Sequence, residues 1–345
     1  MSSAHDDPAL VRMVHAVLMP GFLGTEVPDW LARAVDGGLG SVLYFGQNLR
    51  RDPPSLSAHL HRLRADLLVA SDEEGGRVTR LHAAAGSPYP AHAELGTIGD
   101  TAHTRMVAAT MGRELRAAGI DAALAPVVDV NSDPRNPVIG PRAFGADAAD
   151  VARHGAAFIG GLHDAGLLCA AKHFPGHGDT RTDSHLALPV IDLDRATLAD
   201  RELVPFRAAV EAGADLVLMA HIRIPALDDA PASASPATYR LLREDLGFTG
   251  PAVTDALDMW AMAHHTGAAD TCEGAARGAV AALAAGADLL CLGNPATSGH
   301  DDEALFRTVL GRLLDAVDSG ALAPARLEEA AQRVAALAGG RQRVA

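Results

Sequence analysis

Eight short apolar runs, each followed by a stretch of helical pattern, constrain this chain more than any other feature. They are VHAVLMPGF (14–22), SVLYFGQN (41–48), DLLVASDEEGG (66–76), DAALAPVVDV (121–130), LLCAAKHFPG (167–176), DLVLMAHI (215–222), PAVTDALDM (251–259) and DLLCLGNP (288–295). A strand buried on both faces reads as an unbroken apolar run, and strand–helix alternation implies parallel pairing, because parallel neighbours need a crossover. Eight such units predict an α/β fold in the form of a closed, TIM-like (β/α)8 barrel. An open doubly wound sheet is the alternative.

Helices are expected at 101–118, 147–165, 194–212, 237–245 and 268–285, several with Asp, Ser or Thr at the capping position, and two more fill 302–338. EAGADLVLMAHI (211–222) and AAGADLLCLGNP (284–295) echo one another, as expected where a helix ends at Gly and hands over to the next strand. No linker or compositional break interrupts the 345 residues, so 1–345 reads as a single barrel domain with its last helices packed on it.

Lys and Arg number 29 against 43 Asp and Glu, a formal charge of −14, and no basic stripe occurs. Nucleic acid and anionic membrane are therefore poor partners, and a neutral or modestly charged small molecule fits better. Cys169, Cys272 and Cys291 are an odd number in or beside apolar runs, which predicts reduced thiols and a reducing compartment. Asp6 and Asp7 stand where a secretory leader carries basic residues, and no apolar stretch reaches the roughly 18 residues of a membrane span. A cytoplasmic monomer is the expectation.

Polar residues collect where the apolar runs end, the rim at which barrels of this kind place their chemistry. Those ends read Asp72-Glu73-Glu74, Asp129-Val130-Asn131, Lys172-His173, His221 and Asp255. The densest string is KHFPGHGDTRTDSH (172–185), with one Lys, three His and two Asp around two glycines. Gly176 and Gly178 let the backbone bend, so Asp183 and His185 can ride a flap that closes over a ligand. A zinc site is the sharper rival, since His and Asp are its ligand types. Against it, the first strand ends in the non-ligating Pro20-Gly21-Phe22. No metal or cofactor is expected in the chemistry.

VTDALDM (253–259) sets Asp255 just past a strand, where a carboxylate can act as nucleophile or electrostatic stabiliser. Asp258 competes for that role, and a helix-capping Asp is the plainer reading. DEEGGRVTRL (72–81) offers an acidic strand end with arginines that can fork hydrogen bonds onto hydroxyls, or a salt-bridged helix start. DVNSDPRNPVIGPRAFG (129–145) is a long aperiodic loop of the kind that is usually functional, with Arg142 its best ligand contact.

Together these strings resemble glycoside hydrolase family 3, in particular its single-domain bacterial β-N-acetylglucosaminidases, from about Gly21 to Val334. The resemblance implies a retaining β-N-acetylglucosaminidase of the TIM-barrel type, acting on carbohydrate such as peptidoglycan fragments in cell-wall recycling. It implies Asp255 as nucleophile, His185 as general acid/base and Asp183 as the group that orients it. Asp72, Arg80, Arg142, Lys172 and His173 would hold the N-acetylglucosaminyl unit. No second α/β domain of the kind that supplies an acid/base Glu in many family β-glucosidases is legible, which points to the subgroup with its His on a loop. The rivals are a phosphorylase or β-glucosidase on the same barrel, substrate-assisted chemistry with Asp72 and Glu73 as the pair, and a sugar-binding barrel without turnover.

Overall fold

The computed structural model describes residues 3–181 and 188–341, with side chains through 337. Eight parallel strands form it: β1 (Leu18–Met19), β2 (Ser41–Tyr44), β3 (Leu68–Ser71), β4 (Ala122–Ala123), β5 (Leu168–Phe174), β6 (Leu216–Met219), β7 (Ala252–Thr254) and β8 (Leu290–Cys291). β2 through β7 pair in sequence order, and β1 pairs with β8. A parallel bridge from Val253 to Leu289 joins β7 to β8, and the Leu43 N–H donates to Pro20 O at 3.0 Å beside β1, so the ring closes. All eight strands fall inside the eight apolar runs.

Why those runs are unbroken is visible in the packing. Alternate residues, among them Leu43, Ala70, Leu218 and Val253, fill the barrel interior. Their neighbours Tyr44, Val69, Val217 and Ala252 face the surrounding helices in a second core. Both faces of each strand are thus buried, and the period of two leaves no polar trace. The strands are shorter than the runs for the same reason: nothing polar marks where pairing stops. The first run even begins inside the helix Pro8–Ala16.

The helices Thr101–Ala117, Ala148–Asp164 and Thr271–Ala285 begin at Asp100, Asp147 and Asp270, whose carboxylates accept first-turn backbone N–H groups. The helix expected at 194–212 is broken into Arg195–Thr197, a π segment Leu198–Glu202 and Leu203–Glu211. Pro205 explains this, because it lacks an N–H and its ring crowds the carbonyl four residues earlier, which a wider turn relieves. The segment 302–338 holds the two expected helices, Asp302–Asp318 and Pro324–Arg341, and Val334 on the second packs into the interior core and closes the barrel floor. No described helix is long and apolar enough to cross a membrane.

That floor carries a repeated device. Asp121, Asp215 and Asp288 stand immediately before or near the starts of β4, β6 and β8. Each turns its carboxylate back onto the preceding strand: Asp121 accepts from Val69 N at 2.9 Å, Asp215 from Cys169 N at 3.0 Å and Asp288 from Ala252 N at 3.0 Å. At the remaining pair, the Ser41 hydroxyl of β2 donates to Leu18 O of β1 at 3.1 Å. Basic side chains hold the carboxylates in place: His61 and Arg116 at Asp121, His163 at Asp215, and Arg243, Arg326 and Arg333 at Asp288. The echo between the two GAD strings is this device seen in the sequence.

Candidate active site

At the opposite rim, the C-terminal ends of the strands surround a cavity of about 400 Å³. Asp72, Arg80, Arg142, Lys172, His173 and Asp255 all line it. Asp183 and His185 lie outside the described residues.

One wall is a web of compensated charge. Alternation along the end of β3 aims Asp72 and Glu74 the same way, and Glu73 the other. Lys172 Nζ donates to Asp72 Oδ1 at 2.9 Å and lies 2.7 Å from Glu74 Oε1. Arg142 forks onto both oxygens of Glu74, at 2.8 and 2.7 Å. Arg80 donates to Asp72 Oδ2 at 3.2 Å, and its guanidinium stands 5.6 Å above the Phe45 ring. Burial alone would raise Asp72, yet Lys172 and Arg80 hold it at about 2. Glu74 is likewise held well below the glutamate range against burial, by Arg142 and Lys172. Burial lowers Lys172 and Arg142, and the carboxylates more than reverse this. All four groups therefore stay ionised, and each charge meets an opposite one. Such a wall presents hydrogen-bonding groups whose charges are already paired and fixed in place, which suits a neutral polyol.

β5 supplies two consecutive residues to the cavity, Lys172 and His173, where simple alternation allows one. The register with β6 shifts between Lys172 and Phe174, and this irregularity turns His173 inward as well. Asp129 sets the ring: His173 Nδ1 lies 2.7 Å from Asp129 Oδ2, and His173 N donates to Oδ1 at 3.1 Å. Arg142 Nη2 stands 3.2 Å from His173 Nε2 and can only donate, so Nε2 accepts and Nδ1 carries the hydrogen given to Asp129. Burial pushes the Asp129 carboxyl up, and the bonds from His173 and His177 outweigh that.

His177 also lines the cavity. Thr180 Oγ1 donates to the His177 carbonyl at 3.0 Å, so at 2.8 Å from His177 Nδ1 the hydroxyl oxygen accepts. Nε2 is then an acceptor, buried and without a partner among the described residues. Burial, then the neighbouring His173, lower His177 to about 4, so it is neutral in ordinary buffers. Behind this loop sits Glu202 on the π segment, so close that a Cβ on Gly176 would meet Glu202 Oε2 at 2.6 Å. The long loop 129–145 is tied in by Asn136, whose amide donates to His177 O at 2.8 Å and to Thr180 Oγ1 at 3.1 Å. This placement delivers Arg142.

Asp255 is fixed by its backbone. Its N–H donates to Met219 O at 2.9 Å, and its Oδ1 accepts from Ala256 N at 2.8 Å. His221, expected at the mouth, is instead fully buried behind it. Its Nε2 donates to Ala256 O at 3.0 Å and its Nδ1 meets Ser233 Oγ at 2.7 Å, which braces the turn that carries Asp255. Asp258 does line the cavity. It packs on Gly293, φ +90°, where any Cβ would fall on its carboxylate.

One further expectation needs correction. Glu73 is no partner for Asp72: it is buried facing away, and its Oε2 accepts from Arg80 N and Leu81 N at 3.0 and 3.1 Å. Arg142, the ligand contact expected of the long loop, lines the cavity while its guanidinium forks onto Glu74. Glu74, Asp129 and His177 stand in strings that the sequence singles out, but it assigns them no individual role. Strand alternation would have paired Glu74 with Asp72, while no local signal tied Asp129 to a residue 44 positions away.

The chain matches the model described as "Glycosyl hydrolase family 3 N terminal domain" over residues 27–337. It is 33% identical over 340 residues to beta-hexosaminidase A of Pseudoalteromonas piscicida, covering 91% of this chain and 55% of that one. A beta-hexosaminidase of Thiobacillus denitrificans is 40% identical over 257 residues, 70% of each chain. Among solved structures, a glycoside hydrolase family 3 beta-N-acetylglucosaminidase from a Paenibacillus species superposes with a TM-score of 0.88 at 38% identity, over 97% of this chain and 63% of that one. The chain thus spans a little over half of the Pseudoalteromonas relative's length and somewhat under two thirds of the Paenibacillus chain.

Proposed function

The chain belongs to glycosyl hydrolase family 3, and on that footing we propose that it is a retaining β-N-acetylglucosaminidase releasing terminal β-linked N-acetylglucosamine. Asp255 attacks the anomeric carbon and forms a covalent glycosyl ester. His185 protonates the departing oxygen and then takes a proton from the water that releases the sugar. Asp183 fixes the tautomer of that imidazole, and Asp72, Arg80, Arg142, Lys172 and His173 hold the sugar. No metal or cofactor enters a step.

The observation that carries this reading is the placement of Asp255 in one cavity with the compensated wall of Asp72, Glu74, Lys172 and Arg142. A retaining enzyme needs its nucleophile about 5 Å from the acid/base group, on the other side of the scissile bond. The loop that carries His185 leaves β5 after Phe174, one residue past the cavity-lining His173. Histidine titrates near neutrality, so it can give and take the proton in turn. The relatives' names support the N-acetylhexosamine preference. Peptidoglycan fragments are the proposed natural source of the sugar.

A slow 5-fluoro N-acetylglucosaminyl donor tests the intermediate, because digestion and mass spectrometry should find the sugar on Asp255. Label on another residue, or inversion at the anomeric carbon, overturns the mechanism. His185→Ala should slow natural glycosides far more than aryl glycosides with good leaving groups; equal losses remove His185 as proton donor. Side-by-side product analysis on a muropeptide and on chitobiose decides the aglycone.

A further inference from the structure

The floor carboxylates differ in what faces them. Asp121 and Asp288 each meet at least one guanidinium. Asp215 meets none among the described ion pairs: its neighbours are the His163 imidazole and the Cys169 thiol. His163 stands in the last turn of the helix Ala148–Asp164, Cys169 is the second residue of β5, and Asp215 immediately precedes β6. The short turn 165–167 brings the first two together, and Asp215 joins them from 46 positions further along, at the end of the barrel opposite the sugar cavity.

From this cluster we infer that the floor of the β5–β6 seam binds one zinc-class divalent cation through His163 Nε2, Cys169 Sγ and Asp215 Oδ2. The three atoms stand 3.7 Å (sulfur to imidazole), 3.5 Å (sulfur to carboxylate) and 2.9 Å (imidazole to carboxylate) apart. Zinc bonds of about 2.3 Å to sulfur and about 2.0–2.1 Å to nitrogen and oxygen put tetrahedral ligand atoms about 3.4–3.6 Å apart. Two of the three edges already fit, and the third opens by about half an ångström when the direct hydrogen bond is replaced by the ion.

The surroundings suit a bound ion. The Cys169 N–H donates to Asp215 Oδ2 at 3.0 Å and orients the carboxylate from outside, as second-layer groups do in metal sites. Cys169 is fully buried, whereas the His163 and Asp215 side chains are 35% and 21% exposed. The solvent side is therefore open for water as fourth ligand. Sulfur and imidazole together select zinc-class ions over calcium or magnesium. Binding converts the thiol to a thiolate and leaves the His163 hydrogen on Nδ1, so that Nε2 can ligate; the protons displaced from sulfur and from Nε2 pass to solvent. At this seam the cation supplies the positive charge that arginine supplies at the other two. The site lies apart from the sugar chemistry and stands whether or not the proposed reaction is correct.

Cobalt(II) is the probe, since thiolate ligation gives it a near-ultraviolet charge-transfer band. Titration of the metal-free full chain should give that band with one equivalent, and zinc should bleach it. Cys169→Ser should abolish the band and Cys291→Ser, in the sugar cavity, should keep it. His163→Gln should weaken cobalt binding about 10-fold or more. Absence of the band in the parent chain overturns the proposal. So does a band that survives Cys169→Ser, or, should that variant not fold, cobalt affinity unchanged in His163→Gln.

Discussion

Glu202→Gln isolates the buried carboxyl beneath the active-site loop. Burial raises this group from the ordinary 4.5 to about 7; Arg201 opposes the rise, and Asp129 and Asp179 add to it. The folded chain therefore holds the Glu202 proton more tightly than the unfolded chain does. Its stabilising contribution is fully present below about 4.5 and is lost as pH climbs through about 7. Over that interval, at about 1.4 kcal/mol per pH unit, the loss has a ceiling of about 3 kcal/mol. Glutamine keeps the shape and removes the titration. Carboxylates held low, such as Asp72, act with the opposite sign but equally in both proteins, so they cancel in the difference. Urea midpoints of both proteins from pH 4.5 to 8 read the effect directly. The variant should gain on the parent steadily across the range, by about 2–3 kcal/mol at the top. Parallel curves would refute the account of Glu202 as a protonated buried acid.

Three further substitutions probe the site. Glu74→Gln leaves Lys172 and Arg142 sharing Asp72 in a buried setting and should cost about 3–5 kcal/mol, read as a lower urea midpoint; a loss below about 1 kcal/mol contradicts a buried pair. Gly293→Ala forces a Cβ onto the Asp258 carboxylate at positive φ, so it should lower both stability and turnover by more than Gly299→Ala, where φ is +73° and the space is open. Equal behaviour of the two alanine variants removes that contact from the argument. Asp255→Asn should reduce turnover on the order of 10⁴-fold while N-acetylglucosamine binding, followed by equilibrium dialysis, changes little. Substantial residual hydrolysis returns substrate-assisted chemistry to contention.

The barrel was legible because burial on both strand faces writes itself as unbroken apolar runs, and eight of them leave few topologies. Strand ends were not, since the same burial erases the polar mark of where pairing stops. At the site, Lys172, His173, Asp72 and Asp255 could be named because charge directly after an apolar run has few structural uses. Their partners were harder. Asp129 reaches His173 across two strands, and Arg142 reaches Glu74 across 68 residues of chain, distances at which single-sequence patterns carry no information. His221 misled for the converse reason: a His after a strand looks the same whether it faces substrate or braces the turn behind it.

The floor devices imply that the barrel is assembled in couples. Asp121 links β3 to β4, Asp215 links β5 to β6, Asp288 links β7 to β8, and Ser41 links β2 to β1, whereas side chains tie the β2–β3 and β4–β5 seams at the opposite rim, Ser71 Oγ donating to Tyr44 O and His173 N to Asp129 Oδ1. Thermal opening should then start at the floor of the alternate seams, splitting the cylinder there into quarters before any quarter frays. Amide exchange would register this as protection that alternates around the ring, strong within each couple and weaker between couples.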